Sequence, residues 1–280
     1  VYVIFEDGTD IYWARSRTLE YLSKIIPKLP KGVETELGAD ATSVGWVFQY
    51  ALVDKSGSND LSDLRSFQDW YLRYYLQSVP GVAEVATVGG FVRQYQVNVD
   101  PVKLQAYDIS ITSVVDAIRK GNNDVGGRLI EQAGAEYMVR GRGYAKSVDD
   151  IGNISVGVDP KTHVPFYVKN LGRVELGPDI RRGIADLDGE GDTVGGIVVM
   201  RHGENAFNVI KRVKEKIEEI KPSFPKGVDI VTTYDRSILI QRSIDTLKET
   251  LIDELLIVSL VILIFLWHIP SAVVPIATIP

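Results

Sequence analysis

The chain has 280 residues, 45% hydrophobic and 24% charged, with 31 Lys plus Arg against 37 Asp plus Glu and a net charge of −6. Such a composition supports a sizeable core in two or more compact units and excludes a disordered chain. The acidic balance excludes the basic surface that nucleic-acid phosphates require, and the absence of cysteine removes disulfides, Cys-ligated metal and a thiol nucleophile together.

The chain opens in a strand-like run, Val1-Tyr-Val-Ile-Phe5, with neither initiator Met nor signal peptide, and stops at Pro280 inside an apolar stretch. Both ends therefore read as cut, and targeting is expected to be specified outside this segment. Residues 1–42 read as a half-unit whose partner strands lie upstream, closing on the turn Leu29-Pro-Lys-Gly-Val33 and the alternating strand Val33-Glu-Thr-Glu-Leu37. The same turn recurs as Val79-Pro-Gly-Val82 and Phe224-Pro-Lys-Gly-Val228. Proline ends the preceding helix because it lacks an N–H, and glycine permits the reversal. Recurrence at unequal spacing predicts duplicated βαβ units, not a tandem solenoid.

In the first unit a strand over about 43–54 precedes a helix capped by Asn59 or Asp60, with Leu61, Leu64, Phe67, Tyr71, Leu72 and Tyr75 buried. Residues 91–182 then form an insert of domain size. It contains the strand Gln94-Tyr-Gln-Val-Asn-Val99, short helices around 101–108 and 111–121, and a glycine-rich, strand-rich stretch over 124–182. In the second unit a strand over about 193–202 precedes a helix whose Ala206, Val209, Ile210, Val213, Ile217 and Ile220 share a face. Two βαβ halves on one antiparallel sheet predict an α+β, ferredoxin-like split fold with an inserted subdomain.

A transmembrane α-helix is expected to follow. No Asp, Glu, Lys or Arg occurs from Leu255 to Pro280, and Leu255–Trp267 is apolar on every helical face. With the turn around Leu251 and Ile252 the run reaches roughly 18 residues, close to the ~20 that cross a bilayer core. Asp253 and Glu254 would mark one interface, Trp267 and His268 the other. Ile269-Pro270-Ser271 breaks the helix, and Ala272–Ile279 reads as the start of a second span. The alternative is a buried core helix.

No catalytic constellation emerges. His163, His202 and His268 are far apart, and neither HExxH nor GxSxG is present, so an enzyme is not expected. Gly189-Glu-Gly191 and Gly141-Arg-Gly143 lack the third glycine of a nucleotide loop. Asp186-Leu-Asp188-Gly-Glu190-Gly-Asp192 resembles a calcium loop but has Ile197 where a bidentate Glu is needed, which favours a solvated hairpin turn. Met200 and His202, two apart on the expected strand, leave the same face and form a weak candidate pair for Cu(I) or Ag(I). The competing interpretation is a core Met beside a surface His. Met138 reads as a packing residue.

Longer strings go further. Phe5-Glu-Asp-Gly-Thr-Asp10, Tyr12-Trp-Ala-Arg-Ser-Arg17, Tyr50-Ala-Leu-Val-Asp54, Asp63-Leu-Arg-Ser66, Ala83-Glu-Val-Ala86 and Val88-Gly-Gly90 occur in order. Ala135-Glu-Tyr-Met-Val-Arg140, Arg181-Arg-Gly-Ile-Ala185, Thr232-Thr-Tyr-Asp-Arg-Ser237 and Phe265-Leu-Trp-His268 continue the series. Together, along essentially the whole chain, they resemble the heavy-metal branch of the resistance–nodulation–cell-division transporters, and within it the inner-membrane pumps of copper/silver efflux.

The resemblance implies a layout. Residues 1–44 would be the second half of a first porter subdomain, with 45–90 and 183–237 the two halves of a second and 91–182 a docking subdomain. A connecting helix over 238–249, a transmembrane helix over 250–268 and the start of the next at 271–280 would complete the segment. It also implies a proton-driven heavy-metal cation efflux transporter of the bacterial inner membrane, with residues 1 to about 249 in the periplasm. Its partners would be its own copies in a homotrimer, a periplasmic adaptor protein, an outer-membrane channel and the lipid bilayer. No cofactor is implied: the metal ion is cargo and the proton gradient supplies the energy. The family's proton-relay carboxylate and three-methionine metal site lie outside this segment.

In Gly177-Pro-Asp-Ile180-Arg-Arg182, Ile180 stands where a copper/silver pump is expected to have Met, and only two methionines occur in the chain. That departure keeps zinc, cobalt or nickel open as cargo beside copper and silver. A drug-extruding pump of the same superfamily and a membrane-tethered sensor or adhesion domain remain the rival functions.

Overall fold

The computed structural model describes residues 2–42, 44–159, 162–181, 183–266 and 273–274. The chain divides into two compact units, one made of residues 1–90 and 183–280 and the other of 91–182.

The first unit opens with α1 (Ile11–Ile25), β1 (Trp46–Asp54), α2 (Leu61–Phe67), a π-helical segment (Gln68–Leu72), α3 (Arg73–Gln77) and β2 (Val82–Gly89). The second unit follows with β3 (Arg93–Val99), α4 (Pro101–Ala106), α5 (Ile111–Gly121), β4 (Val125–Gln132) and β5 (Ala135–Gly141). It ends with α6 (Val148–Gly152), β6 (Ser155–Val158), β7 (Pro165–Tyr167), α7 (Val168–Leu171) and β8 (Gly172–Pro178). The chain then re-enters the first unit with β9 (Val194–Met200), α8 (Ala206–Ile220), β10 (Val228–Asp235) and α9 (Arg236–Leu266).

Four strands of the first unit form an antiparallel sheet in the order β10-β1-β9-β2. This is the ferredoxin-like arrangement: β1 and β2 run parallel around β9, so each βαβ half is split by a strand of the other. The insert replaces the turn that would join β2 to β9. A hairpin end accepts a long insertion cheaply, because loop-closure entropy grows only logarithmically with length and no ladder bond is lost.

The core lies between this sheet and its helices. Central β1 contributes Phe48, Tyr50 and Leu52, β2 contributes Val82 and Val85, and β9 contributes Val194 and Val198. From α8 come Val209, Ile210, Val213, Ile217 and Ile220, spaced at the helical period. Turn chemistry fixes the register of the return strands: Gly81 and Gly227 adopt φ of +91° and +86° at the recurring Pro-Gly turns.

The other helical run departs from the expected pattern. Leu64, Gln68, Leu72 and Leu76 are buried, while Tyr75 is 43% exposed. A π turn holds more residues than an α turn, so it delays the inward face by one position and substitutes Leu76 for Tyr75. Asp60, not Asn59, is the cap, in a reciprocal box with Asp63.

Residues Tyr2–Phe5 and Val33–Leu37 form no strand among the described residues, while α1 forms as a regular helix between them. The second unit has three two-stranded ladders, β3–β8, β4–β5 and β6–β7, and its buried apolar residues are Val114 of α5, Ile151 of α6 and Val168 and Leu171 of α7. The hairpin β4–β5 turns at Ala133 and Gly134, both at positive φ, and exposes every residue.

Among the described residues no helix is long and apolar enough to cross a membrane; the spanning helix expected over 250–268 runs past the described residues. Within the described residues the charge-free stretch of α9 is Leu255–Leu266, and the charge-free sequence continues beyond it. Arg242, Asp245, Lys248, Glu249, Asp253 and Glu254 occupy the turns before it. Trp267, His268, Ile269, Pro270 and Ser271 lie outside the described residues, as does most of the second span expected from 271.

Candidate functional site

The strand expected to reach 202 stops at Met200, which corrects the argument that set Met200 and His202 on one face. Met200 is half-buried against the core and its N–H donates to the Gly45 carbonyl. The chain then turns: Arg201 N–H bonds Gly81 and His202 N–H bonds Asp40, with Gly203 at φ +83°. His202 is exposed, and strand alternation no longer relates its side chain to that of Met200. Among the described residues no group of three or more His, Cys, Asp or Glu is placed to hold a metal ion. Met138 is 80% exposed on the β4–β5 hairpin, not packed in a core. Ile180 is 80% exposed just past β8.

The acidic run at 186–192 forms a turn. The Asp186 carboxylate accepts the N–H of Gly189 at 2.7 Å and of Gly191 at 3.1 Å, and Asp188 and Gly189 adopt positive φ. These are the self-contained bonds of a hairpin loop, with the oxygens used on the loop's own amides. Beside it, a cavity of about 420 Å³ has an apolar floor that includes Leu52, Leu61 and Leu64 and an acidic rim at Asp54, Asp60, Glu190 and Asp192. Asp54 is committed to structure: Ser56 donates its hydroxyl at 2.6 Å and its N–H at 2.9 Å, and Asn59 N–H donates at 2.8 Å. Those donors hold its carboxyl well below the ordinary aspartate range.

Two polar side chains meet inside the core. Tyr50 donates to Gln68 Oε1 at 3.0 Å, and Gln68 Nε2 is buried with no partner among the described residues. Burial pushes the Tyr50 phenol up strongly, and the Gln68 bond only partly opposes it. Gly196, opposite Tyr50 on β9, is required here, since a Cβ would sit 2.3 Å from the tyrosine hydroxyl.

Sequence patterns alone pass over the polar cluster where β10 meets α9. Asp235 Oδ1 accepts the N–H of Ser237 at 2.9 Å and its hydroxyl at 2.6 Å, while Oδ2 pairs with Lys214 of α8. Burial pushes the Asp235 carboxyl up, but Lys214 and Ser237 outweigh it and hold the group below the ordinary range. The Asp-x-Ser spacing ahead of a helical run is the one local signal for it.

Comparison with known proteins gives this arrangement a context. Residues 1–280 match the family described as AcrB/AcrD/AcrF. The chain is 54% identical over its whole length to a cation efflux system protein, SilA, of Salmonella typhimurium and to CusA of Escherichia coli strain K12, covering 27% of each. It is 37% identical to the cobalt-zinc-cadmium resistance protein CzcA of Cupriavidus metallidurans, again over 27% of that protein. A crystal structure of a heavy metal efflux pump superposes with a TM-score of 0.89 at 34% identity, over 99% of this chain and 27% of the pump. The chain thus spans about a quarter of the length of these relatives, and it belongs to the AcrB/AcrD/AcrF family.

Proposed function

We propose that this chain is the porter segment of a proton-driven heavy-metal cation efflux transporter of the bacterial inner membrane, with copper and silver as its first cargo. The supporting observation is the 54% identity along all 280 residues to two cation efflux proteins. On this reading residues 45–90 and 183–237 are one porter subdomain, 91–182 a docking subdomain, and 1–44 half of another porter subdomain. Residues up to about 249 face the periplasm. The protein works as a homotrimer in the lipid bilayer, with a periplasmic adaptor and an outer-membrane channel, and the metal ion is cargo, not a cofactor. Transport, not catalysis, is the activity.

A divalent cargo is the second reading. It is favoured by Ile180 in place of a soft thioether and by the 37% identity to a cobalt-zinc-cadmium resistance protein. Met200 and His202 are weak candidate ligands, and replacing both with Ala is expected to lower metal tolerance if either touches cargo.

Expressing the full-length gene in a metal-sensitive strain tests the proposal. Growth in copper or silver at concentrations that stop the parent strain is the expected result. Protection only against zinc, cobalt or nickel selects the second reading, and protection against none of the five rejects both.

A further inference from the structure

Helix α9 follows β10 with no residue between them: Asp235 ends the strand and Arg236 begins the helix. Such a junction has no loop torsions in which a displacement can be absorbed. Three contacts close around it. The Asp235 carboxylate, only 4% exposed, joins Lys214 of α8 to Ser237 of α9. Lys214 Nζ also lies 3.4 Å from the Ser237 hydroxyl. Arg236 Nη1 donates at 2.7 Å to the carbonyl of Val44, on the segment that leads into β1.

The root of α9 is therefore fastened to a helix, to edge strand β10 and to the approach of central strand β1. Separating an ion pair whose acid is out of water strands a buried charge, so the fastening resists opening. The far half of α9 is different. Leu256, Leu260 and Ile264 are 62%, 60% and 57% exposed along its charge-free run. A force applied to those apolar turns reaches the sheet through the fastened end.

We infer that Lys214, Asp235 and Ser237 form a positioning joint that makes α9 and the four-stranded sheet move as one body. The inference rests on the transport function proposed above and gives these residues no contact with cargo. They govern how fast the sheet follows the helix, not how tightly metal is held.

The test uses the full-length protein in proteoliposomes with an imposed proton gradient, scanning Cu(I), Ag(I) and Zn(II) concentration. Inserting two glycines between Asp235 and Arg236, or making Asp235→Asn or Lys214→Met, lowers the maximal rate about tenfold and leaves the half-saturating concentration unchanged. Lys214→Arg retains most of the rate, and Glu219→Gln, which breaks the exposed Lys216 pair within α8, changes neither quantity. An insertion variant that transports at the wild-type rate overturns the inference, because a flexible root then suffices. Where the insertion prevents accumulation, the near-isosteric Asp235→Asn decides. A lost rate in that variant that only tracks lost thermal stability, or a shifted half-saturation, assigns a structural role and overturns it. Wild-type protein that moves none of the three metals removes the transport function itself.

Discussion

Helix α8 and the run from Leu61 to Gln77 belong to equivalent βαβ halves of one sheet, yet they are packed by different means. Helix α8 is regular, and its buried face is wholly aliphatic: Val209, Ile210, Val213, Ile217 and Ile220. The other run is interrupted by a π segment and buries Ser62 and Gln68 among its leucines. It is also stitched to β2 by a polar network. Arg65 donates to Asp69 at 2.6 Å and to the Gly89 carbonyl at 2.8 Å, and Thr87 donates to Asp69 at 2.7 Å. One half is thus held mainly by area removed from water, which is tolerant of small shifts. The other half depends on directional bonds, which hold one register. That choice has a cost in the π segment, where the Gln68 amide nitrogen has no partner among the described residues.

The largest effect that sharpens this contrast comes from the leucines. Leu76→Ala is expected to cost about 3 kcal/mol, as is Ile210→Ala on α8, because each leaves a cavity in a fully buried site. Tyr75→Ala removes a half-exposed ring and is expected to cost about 1 kcal/mol or less. Hydrogen exchange at the β1 and β9 amides of the full-length protein reads these values as local opening free energies. A Tyr75 variant more damaging than the Leu76 variant would show that an unbroken α-helix persists in solution.

This pair of residues also marks how far the sequence could be read. The α8 face was legible because aliphatic side chains at a constant 3.6-residue period leave one solution. The same rule, run across 61–77, places Tyr75 inward, because nothing local announces the extra residue of a π turn. Gln68 was passed over for a related reason: an amide reads as surface until a buried tyrosine supplies its partner from 18 positions away. The Pro-Gly turns and the split βαβ order were visible, since turn chemistry is local. The end of β9 at Met200 was not, because Arg201 and His202 are turned aside by bonds to Gly81 and Asp40 from distant segments. The Asp235 joint combines residues from two helices, and only the capping half of it is written in adjacent positions.

A smaller effect breaks the contrast from inside the core. Tyr50→Phe strands both ends of the Gln68 amide, and Gln68→Met strands the tyrosine hydroxyl, so each alone is expected to cost about 2 kcal/mol. The double variant makes both sites apolar at similar volume and is expected to lie within about 1 kcal/mol of wild type. That is far from the sum of the singles, as required of groups that share one bond. Additive losses would mean that the two side chains act independently and that the polar pair does not hold the register.

The smallest effect lies at the helix starts, where the two halves again differ. The Asp60 carboxylate accepts the N–H of Ser62 and of Asp63, each at 2.8 Å, and Asp63 returns a bond to the Asp60 N–H at 3.2 Å. Asn205 of the α8 half accepts one, from Asn208 at 3.1 Å. Asp60→Ala is therefore expected to cost about 1.5 kcal/mol and Asn205→Ala about 0.5 kcal/mol. Length widens the gap. The run Asp60 starts is only Leu61–Phe67 before the π segment intervenes, so few α bonds follow to compensate a frayed first turn, whereas α8 has 15 residues. Hydrogen exchange at Leu64 and Val209, the amides bonded back to each cap residue's carbonyl, separates the two. Equal losses would place the stability of both helices in their buried faces and leave the reciprocal box without consequence.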